Sequence, residues 1–333
     1  MKLVPLFLLV GIFAVIGCSK KAPTFSPELV SKAEAGDAKA QNDLGRCYCK
    51  GISVVQDYNE AVKWWTKASE QLGLRVVEYY GKGSAQDYKE AANWLTRAAE
   101  QGDADAQGSL GRCYAYGIGL TRDCKEAVKW FTKSAEQGNA DAQYDLGRRY
   151  WWGIESYTQD YEKAFKWLTK AAEQGNAGAQ ANLALCYYYG EGATKDYKES
   201  VKWLTKAAEQ GNPEAQNNLG RFYAKGIGIN EDYKEAVKWY TKSAEQKDCF
   251  AQFNLGNCYE HGTGVTQDYK EAFKWYAKSA EQGNRDARWV LGVCYDKGLG
   301  VTQDKKEAVK WWTKAAEQGH VDAKRIIESL RSK

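Results

Sequence analysis

Residues 268–283, DYKEAFKWYAKSAEQG, belong to a sixteen-residue pattern that occurs eight times along the chain with small changes. No other feature restricts the fold as much, because a recurring unit must be able to pack against copies of itself. Read as a helix, the copy opens on Asp268 as N-cap. Its carboxylate can accept an early backbone N–H, while Glu271, three residues on, is placed to reach back as in a capping box. Tyr269, Ala272, Phe273, Tyr276 and Ala280 follow at helical spacing, with Trp275 at the edge of the stripe. They make an apolar face too wide for one helix to bury alone. Lys270, Lys274 and Lys278 line the opposite face, and Gly283 supplies the left-handed residue that ends the helix.

The capping Asp recurs at 57, 87, 123, 160, 196, 232, 268 and 304, and a Trp follows each one seven residues later. All but the first two of these are 36 or 37 residues apart. Between copies lies a second helical pattern, clear in residues 212–226. It runs through Ala215-Gln216, Leu219-Gly220 and Tyr223 to a turn at Gly226 and Gly228. Small residues at the Ala and Gly positions of this first helix predict close approach to its partner, at a cost in helix propensity. Two helices per unit of about 36 residues predict an all-α chain, an α/α superhelical solenoid. The motif AQxxLGxxYxxGxG…DYxEAxxWxxxAAEQG resembles the Sel1-like repeat, a relative of the tetratricopeptide repeat. Eight such units cover residues 37–319. The resemblance implies a concave surface, lined by first helices, that binds protein.

Departures from the pattern mark particular places. A hexapeptide is missing between Gln71 and Leu72, so the second repeat, near 72–101, is shortened and a local defect is expected there. The fourth unit has one extra residue in 154–159, with Glu155 where the second Gly belongs, and Lys247 replaces a terminating Gly. Capping helices are expected at both ends. The first opens on Ser26-Pro27-Glu28 and the last covers residues 320–331.

Residues 1–17 stand outside the fold. Lys2 and the apolar run Leu3 to Ile16 have the length and flanks of a secretory signal, too short to span a bilayer comfortably. Val15-Ile16-Gly17-Cys18 resembles a bacterial lipobox, which implies acyl chains such as palmitate on Cys18 and a linker over 18–25. The solenoid then occupies 26–333. Ser19, rather than Asp, resembles the sorting signal for an outer membrane if the cell is Gram-negative. An exported, membrane-anchored lipoprotein facing the periplasm is therefore the expected location.

The formal charge of +4, from 47 basic and 43 acidic residues, is too balanced to predict nucleic-acid binding. Most of it is periodic and reads as a solvated helix face, with a basic surface for anionic lipid or glycan as the alternative. Five of the nine cysteines, Cys47, Cys113, Cys186, Cys258 and Cys294, share one repeat position. Equivalent residues of stacked helices lie about 8–10 Å apart, too far for the roughly 7 Å that a disulfide spans. They read as small buried apolar residues. Cys113 and Cys124 face each other across a short turn and form a possible disulfide. Cysteine-rich Sel1 relatives bridge their helix pairs, but with a regular spacing that this chain lacks. Cys258 and His261 could both face one metal, yet no second pair lies near. No metal site, cofactor or catalytic set is expected: there is no GxSxG, no Walker loop, and the Gly turns follow helices.

Binding chemistry is expected on the first helices. Asp43, Asp145, Asn182, Asn218 and Asn254 stand immediately before the core Leu, and Arg46, Arg112, Arg148 and Arg221 two residues after it. Tyr116, Trp152 and Tyr189 stand six after it. Steps of three and four place these in one column per helix. Amides can clamp a peptide backbone, guanidinium groups can fork onto carboxylates, and aromatic faces can hold apolar side chains. The expected function is a lipid-anchored protein-interaction scaffold of the cell envelope, binding a protein or peptide. An enzyme acting on envelope polymers or β-lactams, or a glycan-associated structural protein, are the alternatives. On this reading, replacing Arg112 and Arg148 by Ala should weaken capture with little effect on thermal stability.

Overall fold

A computed structural model of the protein describes residues 25–50, 53–55, 57, 60, 63–64, 85–154 and 157–331. Sixteen helices and no strand occur among the described residues. They fall into two compact units, residues 1–98 and 99–333. In the first unit α1 (Pro27–Glu34) packs on α2 (Ala38–Lys50) around Ala33, Ala40, Leu44 and Trp64. Ser26 caps α1 by accepting the Leu29 N–H at 3.1 Å, with Pro27 in the first turn, as its sequence predicts. Helix α3 (Ala85–Glu100) carries the chain into the second unit. The shortened second repeat falls largely on residues outside those described.

The second unit is a run of helix hairpins. Its first helices are α4 (Ala104–Tyr116), α6 (Ala140–Trp152), α8 (Ala177–Tyr189), α10 (Pro213–Lys225), α12 (Cys249–His261) and α14 (Arg285–Lys297). Alternating with them are the second helices α5 (Cys124–Glu136), α7 (Tyr161–Glu173), α9 (Tyr197–Glu209), α11 (Tyr233–Glu245), α13 (Tyr269–Glu281) and α15 (Lys305–Glu317). A closing helix, α16 (Val321–Arg331), packs on α15 as the predicted cap. Every helix in the run packs against the one before and the one after it, which makes this unit a solenoid.

Each helix starts and stops for a visible reason. First helices open on Asn or Asp, such as Asn212, whose side chain accepts the Ala215 N–H at 2.8 Å. They close on a left-handed glycine, Gly226 in that unit. Second helices open on the repeated Asp: Asp268 accepts the N–H groups of Lys270 and Glu271. The reciprocal half of the expected capping box does not form. The Asp268 N–H instead donates to the Tyr259 carbonyl of the preceding first helix at 2.9 Å. Glu271, left without that task, pairs with Lys274. The same Asp-to-Tyr bond recurs at Asp160, Asp196, Asp232 and Asp304, so the cap also sets how the two helices of a hairpin meet.

Glycine and glutamine govern the packing between helices. A Cβ on Gly256 would stand 2.6 Å from the Tyr276 ring, and one on Gly292 would stand 2.4 Å from Trp312. The Leu-Gly position is thus a socket for a large side chain of the second helix. The second glycine of the later turns, Gly192, Gly228, Gly264 and Gly300, abuts the preceding second helix. On Gly264 a Cβ would come 2.2 Å from the Tyr233 carbonyl oxygen. These turns meet an acceptor and offer no cradle to an anion. The buried glutamines satisfy helix ends: Gln216 donates to the Ala208 carbonyl at 3.0 Å and accepts from Gln246 at 2.8 Å. Repeated at Gln107, Gln143, Gln180 and Gln252, this bond pair ties each first helix to the second helices on both sides. At position 288 the Gln gives way to Arg, which keeps the bond to the Ala280 carbonyl.

Cys47, Cys113, Cys186, Cys258 and Cys294 are buried, as their repeat position predicts. Cys113 and Cys124, the candidate disulfide pair, are both free thiols in this structure.

Candidate functional site

Helix α10 buries Ala215, Gln216, Leu219 and Phe222 against its hairpin, which turns Glu214, Asn218 and Arg221 away from the core along one stripe. Helix α12, built the same way one repeat later, presents Phe250, Phe253 and Asn254. Between the two stripes lies an open cleft of about 530 Å³, lined also by Asn217 and Asp248. Its floor is an amide bridge, Asn254 Nδ2 donating to Asn217 Oδ1 at 2.9 Å. Phe253 is steadied by Tyr276, whose ring centre is 5.7 Å from its own. Phe250 is 63% exposed. A phenyl ring left in water forgoes about 1.5–3 kcal/mol of burial, which makes it a ready contact for a partner.

Charge in the cleft is divided. Arg221 is exposed and donates to Asn218 at 3.3 Å, a bond too long and wet to hold it firmly. Glu214, also exposed, stands seven residues earlier on the same stripe. Asp248 is committed as the cap of α12, accepting the Ala251 N–H at 2.7 Å. Burial raises its carboxyl pKa, while the backbone N–H groups of Ala251 and Phe250 pull it back.

Of the column expected from sequence, the structure brings Asn218, Arg221 and Asn254 into this cleft. Arg112 and Asp145 go elsewhere. Arg112 Nε donates to Asp145 Oδ2 at 2.8 Å across neighbouring first helices, with side chains only 18% and 9% exposed. Burial opposes the guanidinium charge, but Asp145 and then Asp141 more than offset it, so the pKa of Arg112 rises. A second cation, Arg149, lies 3.6 Å from Asp145 and rests over the Phe131 ring at 4.4 Å. Asp145 is therefore the centre of a buried charge cluster, and neither it nor Arg112 is open to a ligand. Arg148 sits over the Tyr144 ring at 5.5 Å, and Asn182 is half-buried on α8. Tyr116, Trp152 and Tyr189 are exposed in the last turns of their helices, away from the cleft lining. Asp43 is half-buried on α2, the side chain of Arg46 lies outside the described residues, and so does Cys18.

Glu214, Asn217, Asp248, Phe250 and Phe253 were not singled out from sequence. A signal existed for Phe250: the second residue of the first helix is acidic or small in the other units of this run, at Asp105, Asp141, Gly178, Glu214 and Asp286. An aromatic there has no role in the hairpin core. Elsewhere, Cys258 is buried while His261 is exposed, with its Nδ1 3.0 Å from the Asn257 carbonyl, so the two do not converge. Among the described residues no three His, Cys, Asp or Glu side chains group to hold a metal ion, and no helix is long and apolar enough to cross a membrane.

The architecture has counterparts among known proteins. The Sel1 repeat matches residues 38–71, 71–103, 104–139, 140–176, 177–212, 213–248, 249–284 and 285–320. A Sel1 repeat protein from Oxalobacter formigenes is 33% identical, with 97% of each chain covered and a TM-score of 0.66. A protective antigen of uropathogenic Escherichia coli strains, which displays the same kind of repeat fold, is 38% identical with a TM-score of 0.65. That likeness covers 91% of this chain and 66% of the antigen's. No curated protein matches the chain. Eight matched repeats over nearly all of residues 38–320, a solenoid of capped hairpins and two relatives above 30% identity place the chain in the Sel1 repeat family.

Proposed function

We propose that this chain is a docking scaffold that captures a protein or peptide in the cleft between α10 and α12. The exposed Phe250 in a cleft otherwise lined by amides and charged groups carries the reading, because hairpin packing gives no reason for a phenyl ring there. Amides on the floor suit a peptide backbone, whose N–H and C=O groups both need partners. Among the described residues of the second unit, the capping Asp and Asn side chains and the buried glutamines are held by bonds within and between the repeats. The lipobox-like Val15-Ile16-Gly17-Cys18 supports the further proposal that the scaffold is lipid-anchored through Cys18 in the cell envelope.

Site-specific photocrosslinking in the native cell tests both parts. A photoreactive residue at 250 should trap a defined partner, while one at 238, on the exposed face of α11, should not. Phe250→Ser with Arg221→Ala should lose the partner without loss of helix content. Equal trapping at both positions would remove the docking reading. Cys18→Ala should release the protein from the membrane fraction, and retention there would remove the anchor.

A further inference from the structure

The α10–α12 cleft is electrically polar along its length, and that polarity restricts what fits. Glu214 and Arg221 lie seven residues apart on one face of α10, about 10 Å along a helix axis. A peptide extended as a polyproline II helix advances about 3.1 Å per residue and returns to the same side every third residue, so side chains three positions apart face α10 together and can reach both groups. Asp248 adds a carboxylate at the Glu214 end, and no other cation lines the cleft besides Arg221. Phe250 occupies in α12 the place that Glu214 occupies in α10, so the apolar contact lies at the acidic end.

We infer that the cleft selects an extended peptide segment with a basic side chain for the Glu214 end, an acidic side chain three positions away for Arg221, and an apolar residue next to the basic one for Phe250. This rests on the docking reading and adds the partner's chemistry. Asn218 and Asn254 would hold the backbone between the two charges. A second copy of this chain carries exposed Lys–Glu pairs such as Glu271 and Lys274, but these are bonded to each other. Three residues apart on a helix, they span only about 4.5 Å of its axis, too little to reach both ends of the cleft.

The test uses the purified full chain and two fluorescent synthetic decapeptides with the same composition. One carries Lys-Leu-Ser-Glu and the other Glu-Leu-Ser-Lys in a Gly-Ser background. Wild type should prefer the Lys-Leu-Ser-Glu peptide, in which Leu adjoins Lys, by about fivefold or more, the size expected of exposed charge pairs changed from attraction to repulsion. A preference for the other overturns the inference. The double exchange Glu214→Lys with Arg221→Glu should reverse the preference, and Phe250→Ala should weaken both peptides. Glu214 and Arg221 are exposed, so both exchanges should leave the far-ultraviolet circular dichroism spectrum unchanged. The neutral pair Glu214→Gln with Arg221→Gln should bind both peptides equally, and serves if the charge exchange perturbs folding. Failure to bind either peptide, equal binding by wild type, or an unreversed preference overturns the inference. So does concentration-dependent self-association in sedimentation that the exchange abolishes, because a second copy would then be the occupant. Crosslinking at 250 alongside equal peptide binding would leave the docking reading standing and the charge rule refuted.

Discussion

At Asp145 one carboxylate faces two guanidinium groups, Arg112 at 2.8 Å and Arg149 at 3.6 Å, in a place water hardly reaches. Breaking such a cluster leaves a buried charge behind, so Arg112→Ala should destabilise the fold by about 3 kcal/mol. Arg148→Ala gives up only a cation–π contact on Tyr144, about 0.5–1 kcal/mol. Denaturant unfolding of the two variants checks this. Equal, small losses would mean that the Arg112 pair is worth no more than a surface bridge. The expectation that replacing Arg112 together with Arg148 has little effect on thermal stability does not fit the buried pairing of Arg112 with Asp145, and the reason is physical. Sequence spacing shows which residues share a face of one helix. It does not show that Asp145, 33 residues on, reaches across to Arg112. The cysteines were more legible, because one repeat position means one environment. Burial raises the Cys113 and Cys294 thiols to about 12. Their contribution to stability is complete below the unfolded thiol value, roughly 8.5, and is lost as the pH climbs toward the folded one. Iodoacetamide at pH 8 should therefore leave both unmodified until urea opens the chain, as mass spectrometry of pulse-labelled protein would read. Rapid labelling of Cys113 in the native state would contradict this burial.

Caps, turn glycines and apolar stripes identified nearly every helix of the second unit from sequence, since each signal lies within a few residues of its effect. What stayed hidden is the division of labour between N3 and its neighbours. Glu271 turns to Lys274 because the Asp268 N–H is already held by Tyr259, a partner on a different helix. The Leu-Gly socket was legible as close approach, although not as the seat of one large side chain. Gly256→Ala should cost about 2 kcal/mol, because the Tyr276 ring 2.6 Å from the new methyl has to move within a packed core. The opposite sign is expected at the end of α11. Lys247 stands at φ 68°, where the other hairpins of the second unit have glycine. Lys247→Gly should stabilise by about 1 kcal/mol by relieving the left-handed strain. A thermal melt that falls on this substitution would show that the Lys247 side chain contributes more than its backbone strain removes.

A solenoid has no central core, so its stability is a sum of hairpins and the contacts between neighbours. The period revealed that arrangement at once, and the count of eight repeats agrees with the family match. Function was less legible at this scale. The groups that line the cleft come from two different repeats, and the most telling of them, Phe250, breaks the pattern instead of following it. Neighbour-limited coupling also makes a sharp prediction for the last helix. Ala323 and Ile327 of α16 close the core over Ala308, Trp312 and Ala315 of α15. Ending the chain at Gly319 removes the Ile327 burial, worth about 2 kcal/mol, and exposes part of the Trp312 ring. Amide exchange in α14 and α15 should then speed up by about thirtyfold, since 1.4 kcal/mol is a factor of ten. Exchange in α6 to α8 should not change, because three hairpins separate them from the cut. Loss of protection throughout the second unit would mean that it unfolds as one cooperative block, and the Arg112 and Gly256 variants would then have to be read as global losses of stability instead of local ones.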